Sequence, residues 1–181
     1  MKLSEQAIDS EYKFNGQLIR LRTDTVLLPN GNRASREIVE HSGGVGVVAL
    51  TDDGRIMTVR QYRHAMKEVV LEIPAGKLEK GEEPLLAAKR ELAEEVGVTA
   101  ENWRYLGPLY ATPGYCEEVD HLYLATGLTL GESHPDPDEF LERGSMPLTD
   151  AVDAVMRDDI PDAKTQTAIL KVQRLIDLGE I

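Results

Sequence analysis

The chain has 181 residues, 41% of them apolar, which is enough for one domain with a sizeable core. Its 20 basic residues against 32 acidic ones give a net charge of −12, which argues against nucleic acid or an anionic membrane as partner, since both need a basic face. The single cysteine, Cys116, forms no internal disulfide, the start MKLSEQAIDSEYKFNG lacks the apolar core of a signal peptide, and the apolar run at 43–50 is too short to span a bilayer, so a cytoplasmic protein is expected.

Residues 1–17 are polar and read either as an ordered arm or as a disordered tail. Residues 18–28 and 34–41 read as two strands around the turn signal PNGN at 29–32. Arg33 and Arg36 fall on the far side of this hairpin; solvated surface charge is the plain expectation for Arg33, while Arg36 is open between that and a functional role. Residues 43–51, glycine-spaced and rich in valine, read as a buried strand, and DDG at 52–54 is expected to turn it into a hairpin with residues 56–62. The run VVLEIPAG at 69–76 reads as one further strand.

Pro84 suits the first helical position, where its missing N–H costs nothing, and Gly97 suits the left-handed residue that closes a helix. Together they bracket a helix at about 84–96. Leu85, Ala88, Leu92 and Val96 share the stripe that must face a core, while Glu91, Glu94 and Glu95, spaced i, i+3 and i+4, share another face. Three carboxylates this close repel one another unless a cation lies among them, and hard oxygen ligands select Mg²⁺, Mn²⁺ or Ca²⁺. Taken alone, the same residues also describe a solvated acidic face with Arg90 paired to Glu94 one turn on.

The surrounding spacing favours the metal. Gly76, Glu82, Arg90, Glu91, Leu92, Glu94, Glu95, Gly97 and Val98 occupy every fixed position of G-x5-E-x7-R-E-U-x-E-E-x-G-U, where U is a bulky aliphatic residue. The stretch resembles the Nudix box. R-Q-Y-R at 60–63, followed by L-E-I-P-A-G at 71–76, is similar to the ADP-ribose pyrophosphatase branch of that family. Pro113, sixteen residues past Gly97, stands at about the place of the proline that marks this branch.

Beyond the box, residues 103–111 and 121–126 alternate as strands. Residues 128–146 form a loop dense in acids and prolines, longer than a simple connection needs. Residues 148–157 carry an amphipathic pattern, and Asp162 is placed to cap a final helix running to Leu178. DAKTQTAIL at 162–170 resembles the closing helix of bacterial ADP-ribose pyrophosphatases. His41, His64, His121 and His134 show no ligand spacing and read as structural or exposed.

The resemblance implies an α/β fold, the Nudix α/β/α sandwich with a mixed sheet, for residues 42–181, preceded by a strand-rich arm at 1–41. Similar enzymes exchange such arms in homodimers, which would let Arg36 reach the partner's site. It further implies that Glu91, Glu94 and Glu95, with Glu82 and the Ala75 carbonyl, hold Mg²⁺ or Mn²⁺, that Arg90 orients the glutamates, and that Arg63, Pro113 and Glu118 meet the substrate. Without the resemblance Arg63 is an edge-strand charge, and Glu117 beside Glu118 leaves that register open. A glutamate from the 128–146 loop helps activate the attacking water in the family; Glu139 is the candidate, with Asp138 and Asp136 behind it and Pro137 standing where a glutamate is often found. Gly76 is expected to permit a tight entry turn. The implied reaction is hydrolysis of a nucleoside diphosphate sugar, ADP-ribose giving AMP and ribose 5-phosphate. Another nucleotide sugar or a dinucleoside polyphosphate is the alternative substrate, and a catalytically silent nucleotide sensor is the alternative class.

Overall fold

The run GVGVVA at Gly44–Ala49 is buried at every position, as befits a strand covered on both faces. It is the fourth strand of a computed structural model that describes residues 3–134 and 140–181. The chain divides into two units, one taking the residues up to Gly43 together with Tyr110–Val119, the other Gly44–Leu109 with Asp120–Ile181.

The first unit is an antiparallel sheet of β1 (Gln6–Asn15), β2 (Arg20–Leu27) and β3 (Arg33–Glu40), with β2 in the middle. Of the two expectations for the start of the chain, the ordered arm is the one found: a strand exposed at every position is held by its ladder to β2. Segment 110–119 is tied to β3 through Val39, whose N–H donates to the Tyr115 carbonyl (2.8 Å) and whose carbonyl accepts from the Glu117 N–H (2.9 Å).

Apart from the end residues Tyr110 and Val119, the second unit holds β4 (Gly44–Ala49), β5 (Arg55–Arg63), β6 (Glu68–Glu72), β7 (Ala75–Lys77), helix α1 (Pro84–Val96), β8 (Val98–Tyr110), β9 (Val119–Leu130), β10 (Leu141–Pro147), α2 (Leu148–Met156) and α3 (Ala163–Asp177). Strands β7-β4-β9-β8 form a mixed sheet, β4 running parallel to β9 and antiparallel to β7. Strands β10-β5-β6 form a second, antiparallel sheet. Alternation along β4 and β9 sorts their side chains to opposite faces. Val45, Val47, Tyr123 and Ala125 pack with Ala87, Ala88, Leu92 and Val96 of α1, while Val48, Leu122 and Leu124 pack with Leu148, Ala151, Ala168, Ile169 and Val172 of α2 and α3. A mixed sheet between helical layers is the expected α/β/α arrangement.

Three expectations need correction. Residues 43–51 and 56–62 do not form a hairpin ladder: both edges of β4 are occupied, by β7 and β9, so β5 keeps only the bridge Leu50–Ile56 and joins the other sheet. Residues 69–76 are two strands, not one, because the Ile73 N–H goes to the Thr165 hydroxyl (3.1 Å) and Pro74 has no N–H to give. The 128–146 loop is shorter than expected, since β9 extends through Leu130 and β10 starts at Leu141. LERGSMP carries little local strand signal; pairing with β5 along all seven of its residues makes it a strand.

The helix bounds follow local chemistry. Helix α1 covers residues 84–96 and ends at Gly97 with φ 68°. Asp162 caps α3, accepting from the Thr165 N–H (2.9 Å). Burial disfavours the Asp162 carboxylate, but Lys164 and the bonds from Thr165 outweigh it and hold its pKa below the ordinary 3.8. A depressed carboxyl contributes stability above its unfolded value and loses it as pH falls through the folded one. Asp162→Ala should therefore cost about 1–2 kcal/mol near neutrality, measured by urea unfolding. The gap to wild type should narrow when the measurement is repeated at about pH 3.

Candidate active site

Helix α1 is fixed at both ends. The Glu83 carboxylate accepts from the Leu85 and Leu86 amides (3.0 and 3.2 Å), and Gly97 ends the helix where a Cβ would lie 2.7 Å from the Gly131 carbonyl oxygen. The inward face carries Glu91 and Glu95, 7% and 3% exposed, among the apolar residues. Glu94 stays at the solvent margin, its side chain 38% exposed. The three glutamates therefore do not share one face equally: two lie buried one turn apart and the third sits beside them.

Arg90 joins them to the loop before the helix. Its Nη1 donates to Glu91 Oε1 (2.8 Å) and Glu94 Oε2 (3.0 Å), and its Nε and Nη2 donate to Glu82 (both 3.0 Å). Nη2 also donates to the Lys77 carbonyl (3.2 Å). The bond from Arg90, then that from the Glu79 N–H, holds the Glu82 carboxyl below its ordinary value, and the carboxylates around Arg90, Glu82 first among them, raise it in return. Glu95 accepts the Ala75 N–H (2.8 Å), tying the helix to the start of β7.

Gly76 is not a turn residue. It lies within β7, and a Cβ there would stand 1.9 Å from Glu91 Oε1. Its missing side chain is the seat of the Glu91 carboxylate, a reason that local sequence does not show.

Arg63 is clamped by Glu72, its Nε and Nη2 donating to the two carboxylate oxygens (2.6 and 2.7 Å). Lys164 donates to the same carboxylate (2.5 Å). The pairing of Glu72 with Lys164 leaves no signal in the sequence, because 92 positions separate them. In the first unit, Arg36 donates to Glu5 (3.0 and 2.6 Å), Glu118 lies 3.3 Å from His41 Nδ1, Glu117 pairs with Arg22 (2.8 Å), and Pro113 is exposed. With Glu117 engaged by Arg22, Glu118 is the one of the two beside His41. Glu139, Asp138, Asp136 and Pro137 lie outside the described residues.

Among the described residues, no three acidic, histidine or cysteine side chains converge as a ready ligand set, because Arg90 stands among Glu82, Glu91 and Glu94. By chemistry the set nevertheless fits a hard divalent cation: carboxylates and a backbone carbonyl, with no sulfur or imidazole. Cavities of about 560 and 420 Å³ are lined by other parts of the second unit, around Trp103 and around Arg143. Neither carries this concentration of carboxylates.

The NUDIX domain profile matches residues 40–167, and that of the nucleoside diphosphate sugar hydrolase N-terminal domain matches residues 5–39. The chain belongs to the Nudix family. This Nudix chain is 44% identical over 173 residues to an ADP-ribose pyrophosphatase of Bacillus subtilis (strain 168), with 94% of each chain covered. It is 41% identical over 171 residues to a methanol dehydrogenase activator of Bacillus methanolicus, covering 93% of this chain and 92% of that one. The crystal structure of an ADP compounds hydrolase matches its fold with a TM-score of 0.85 at 24% identity, covering 100% of both chains.

Within this Nudix site the Gly76 seat has a direct test. In Gly76→Ala the Glu91 carboxylate must move, which a flexible side chain does at small cost to folding. The thermal midpoint should change little while divalent-cation affinity, measured by calorimetric titration, falls about tenfold to a hundredfold.

Proposed function

We propose that the chain is a divalent-cation-dependent hydrolase of the diphosphate bond in ADP-ribose, releasing AMP and ribose 5-phosphate. The observation that carries this is the glutamate cluster: one guanidinium, Arg90, shared by Glu82, Glu91 and Glu94, with Glu95 tied to the Ala75 amide at its edge. A nucleotide sensor has no need of so many acids around one arginine. For the substrate, LEIPAG, Pro113 and the 44% identity to an ADP-ribose pyrophosphatase favour ADP-ribose over another nucleotide sugar or a dinucleoside polyphosphate.

Glu91, Glu94, Glu95 and Glu82, with the Ala75 carbonyl, would hold Mg²⁺, or Mn²⁺ in its place. The chemistry such an ion would supply when bound is neutralisation of diphosphate charge, which would make phosphorus more open to attack. Arg90 orients the glutamates, holding their carboxylates aligned before substrate arrives. Arg63 donates to diphosphate oxygens, a geometry its planar fork serves well. Glu139, with Asp138 and Asp136 as its alternatives, removes the proton of the attacking water. Glu118, Arg36 and the loop shaped by Pro113 meet the rest of the substrate.

The arm of residues 1–41 is read as a dimerising segment of a homodimer, with residues 42–181 as the hydrolase domain and Arg36 directed to the partner's site. Ile8, Tyr12 and Phe14, about half exposed on β1, supply the apolar surface that such an exchange would cover. A lone thiol and a negative surface suit a cytoplasmic enzyme.

AMP release from a panel of nucleoside diphosphate compounds with Mg²⁺ should be fastest for ADP-ribose; no turnover of any member leaves the sensor reading. Glu95→Gln should lower kcat by about a hundredfold or more with the fold intact. Glu139→Gln should slow turnover by about a hundredfold while leaving cation affinity close to wild type. Sedimentation at working concentration should show a dimer, and a monodisperse monomer would contradict the exchanged arm.

A further inference from the structure

A second charged assembly lies in the same unit and is centred on a more deeply buried carboxylate. Glu72, at the end of β6, is 1% exposed. One of its oxygens accepts Arg63 Nε (2.6 Å); the other accepts both Arg63 Nη2 (2.7 Å) and Lys164 Nζ (2.5 Å). Lys164 also donates to Asp162 Oδ1 (2.8 Å). The Thr165 hydroxyl, 1% exposed as a residue, donates to Asp162 Oδ2 (2.6 Å) and accepts the Ile73 N–H (3.1 Å). The first turn of α3 thus grips Glu72 and Ile73, just ahead of Ala75, whose N–H meets Glu95.

Buried ion pairs are poor devices for stability, since apolar side chains of like volume often serve as well. What this one delivers is a fixed guanidinium. Arg63 is bound along one edge of its fork, its side chain is 41% exposed, and its Nη1 makes no hydrogen bond among the described residues. Glu72 stands three residues before Ala75, whose N–H donates to Glu95 (2.8 Å), so the clamp on Arg63 and the glutamate cluster are held by the same short stretch of backbone. Arg63 and Lys164 together balance Glu72 and Asp162. Without Lys164 the group carries one net negative charge where a diphosphate is to bind.

We infer that Lys164 is a positioning residue for substrate binding: by sharing the Glu72 carboxylate it keeps the Arg63 fork clamped with its outer nitrogen available to a diphosphate. The inference rests on the reading of Arg63 as a diphosphate contact. It acts on ground-state binding and transition state alike, so its loss appears in KM rather than kcat.

The test is steady-state kinetics on ADP-ribose together with calorimetric binding of inorganic pyrophosphate, both with Mg²⁺. Lys164→Met should raise KM about tenfold with kcat changed by less than about threefold, and Lys164→Arg should restore most of the loss. Asp162→Asn, which keeps an oxygen for Thr165 but loosens Lys164, guards against a misfolded variant and should move KM the same way by a smaller factor. A fall in kcat with KM unchanged, or a lowered melting temperature alone, overturns the inference. A wild-type chain that leaves ADP-ribose intact refutes the substrate reading instead. In that case pyrophosphate must still bind wild type about tenfold tighter than Lys164→Met; equal affinity, or no binding by either, overturns the inference itself.

Discussion

Carboxylates held within a few ångströms of one another raise each other's proton affinity unless a cation stands among them. Arg90 is that cation in the resting structure, bonded to Glu82, Glu91 and Glu94 at 2.8–3.0 Å. Its position one residue before Glu91 and one turn before Glu94 lets a single side chain reach two glutamates of its own helix, while Glu82 closes on it from the loop. The rest of the second unit supplies the rigid frame that this arrangement needs. Helix α1 is pinned by apolar packing against β4 and β9, by the Glu83 cap and by Gly97. Polar groups at the rim of a packed core lose little freedom when they bind, and that is worth more than extra contacts.

Two backbone details turn the frame into a site. Gly76 leaves room for the Glu91 carboxylate against β7, and the break at Ile73–Pro74 moves the chain from one sheet to the other so that Ala75 arrives beside Glu95. The break is stabilised from afar, since the Ile73 N–H that a continuous strand would use is taken by Thr165. The residues that join the two sheets and those that shape the glutamate cluster are therefore largely the same, and the first turn of α3 holds the join in place.

Features set by residues close together along the chain are legible in the sequence itself. The bounds of α1 rest on Pro84 and Gly97, and the α3 cap rests on Asp162, all of which act within one turn. The buried character of β4 shows in its composition, because a strand covered on both faces has no polar side to display. Features set by distant partners are not legible. The occupancy of both β4 edges decides that β5 belongs elsewhere, pairing with β5 makes a strand of residues with little strand pattern at β10, and the seat of Glu91 depends on a glycine fifteen positions earlier for its space rather than its flexibility. The glutamate spacing is plain in the sequence, yet which acids are buried and which stay at the margin is decided only when the helix is seated on its sheet.

In the proposed reaction these oxygens gather a divalent ion against a diphosphate. A crystal structure with Mg²⁺ and an uncleavable ADP-ribose analogue tests it most directly. An ion should then touch Glu91, Glu95 and the analogue's diphosphate, with Arg90 still bonded to the glutamates that remain. A diphosphate bound elsewhere on the chain, with the glutamates closed on Arg90 and no ion beside them, would contradict it.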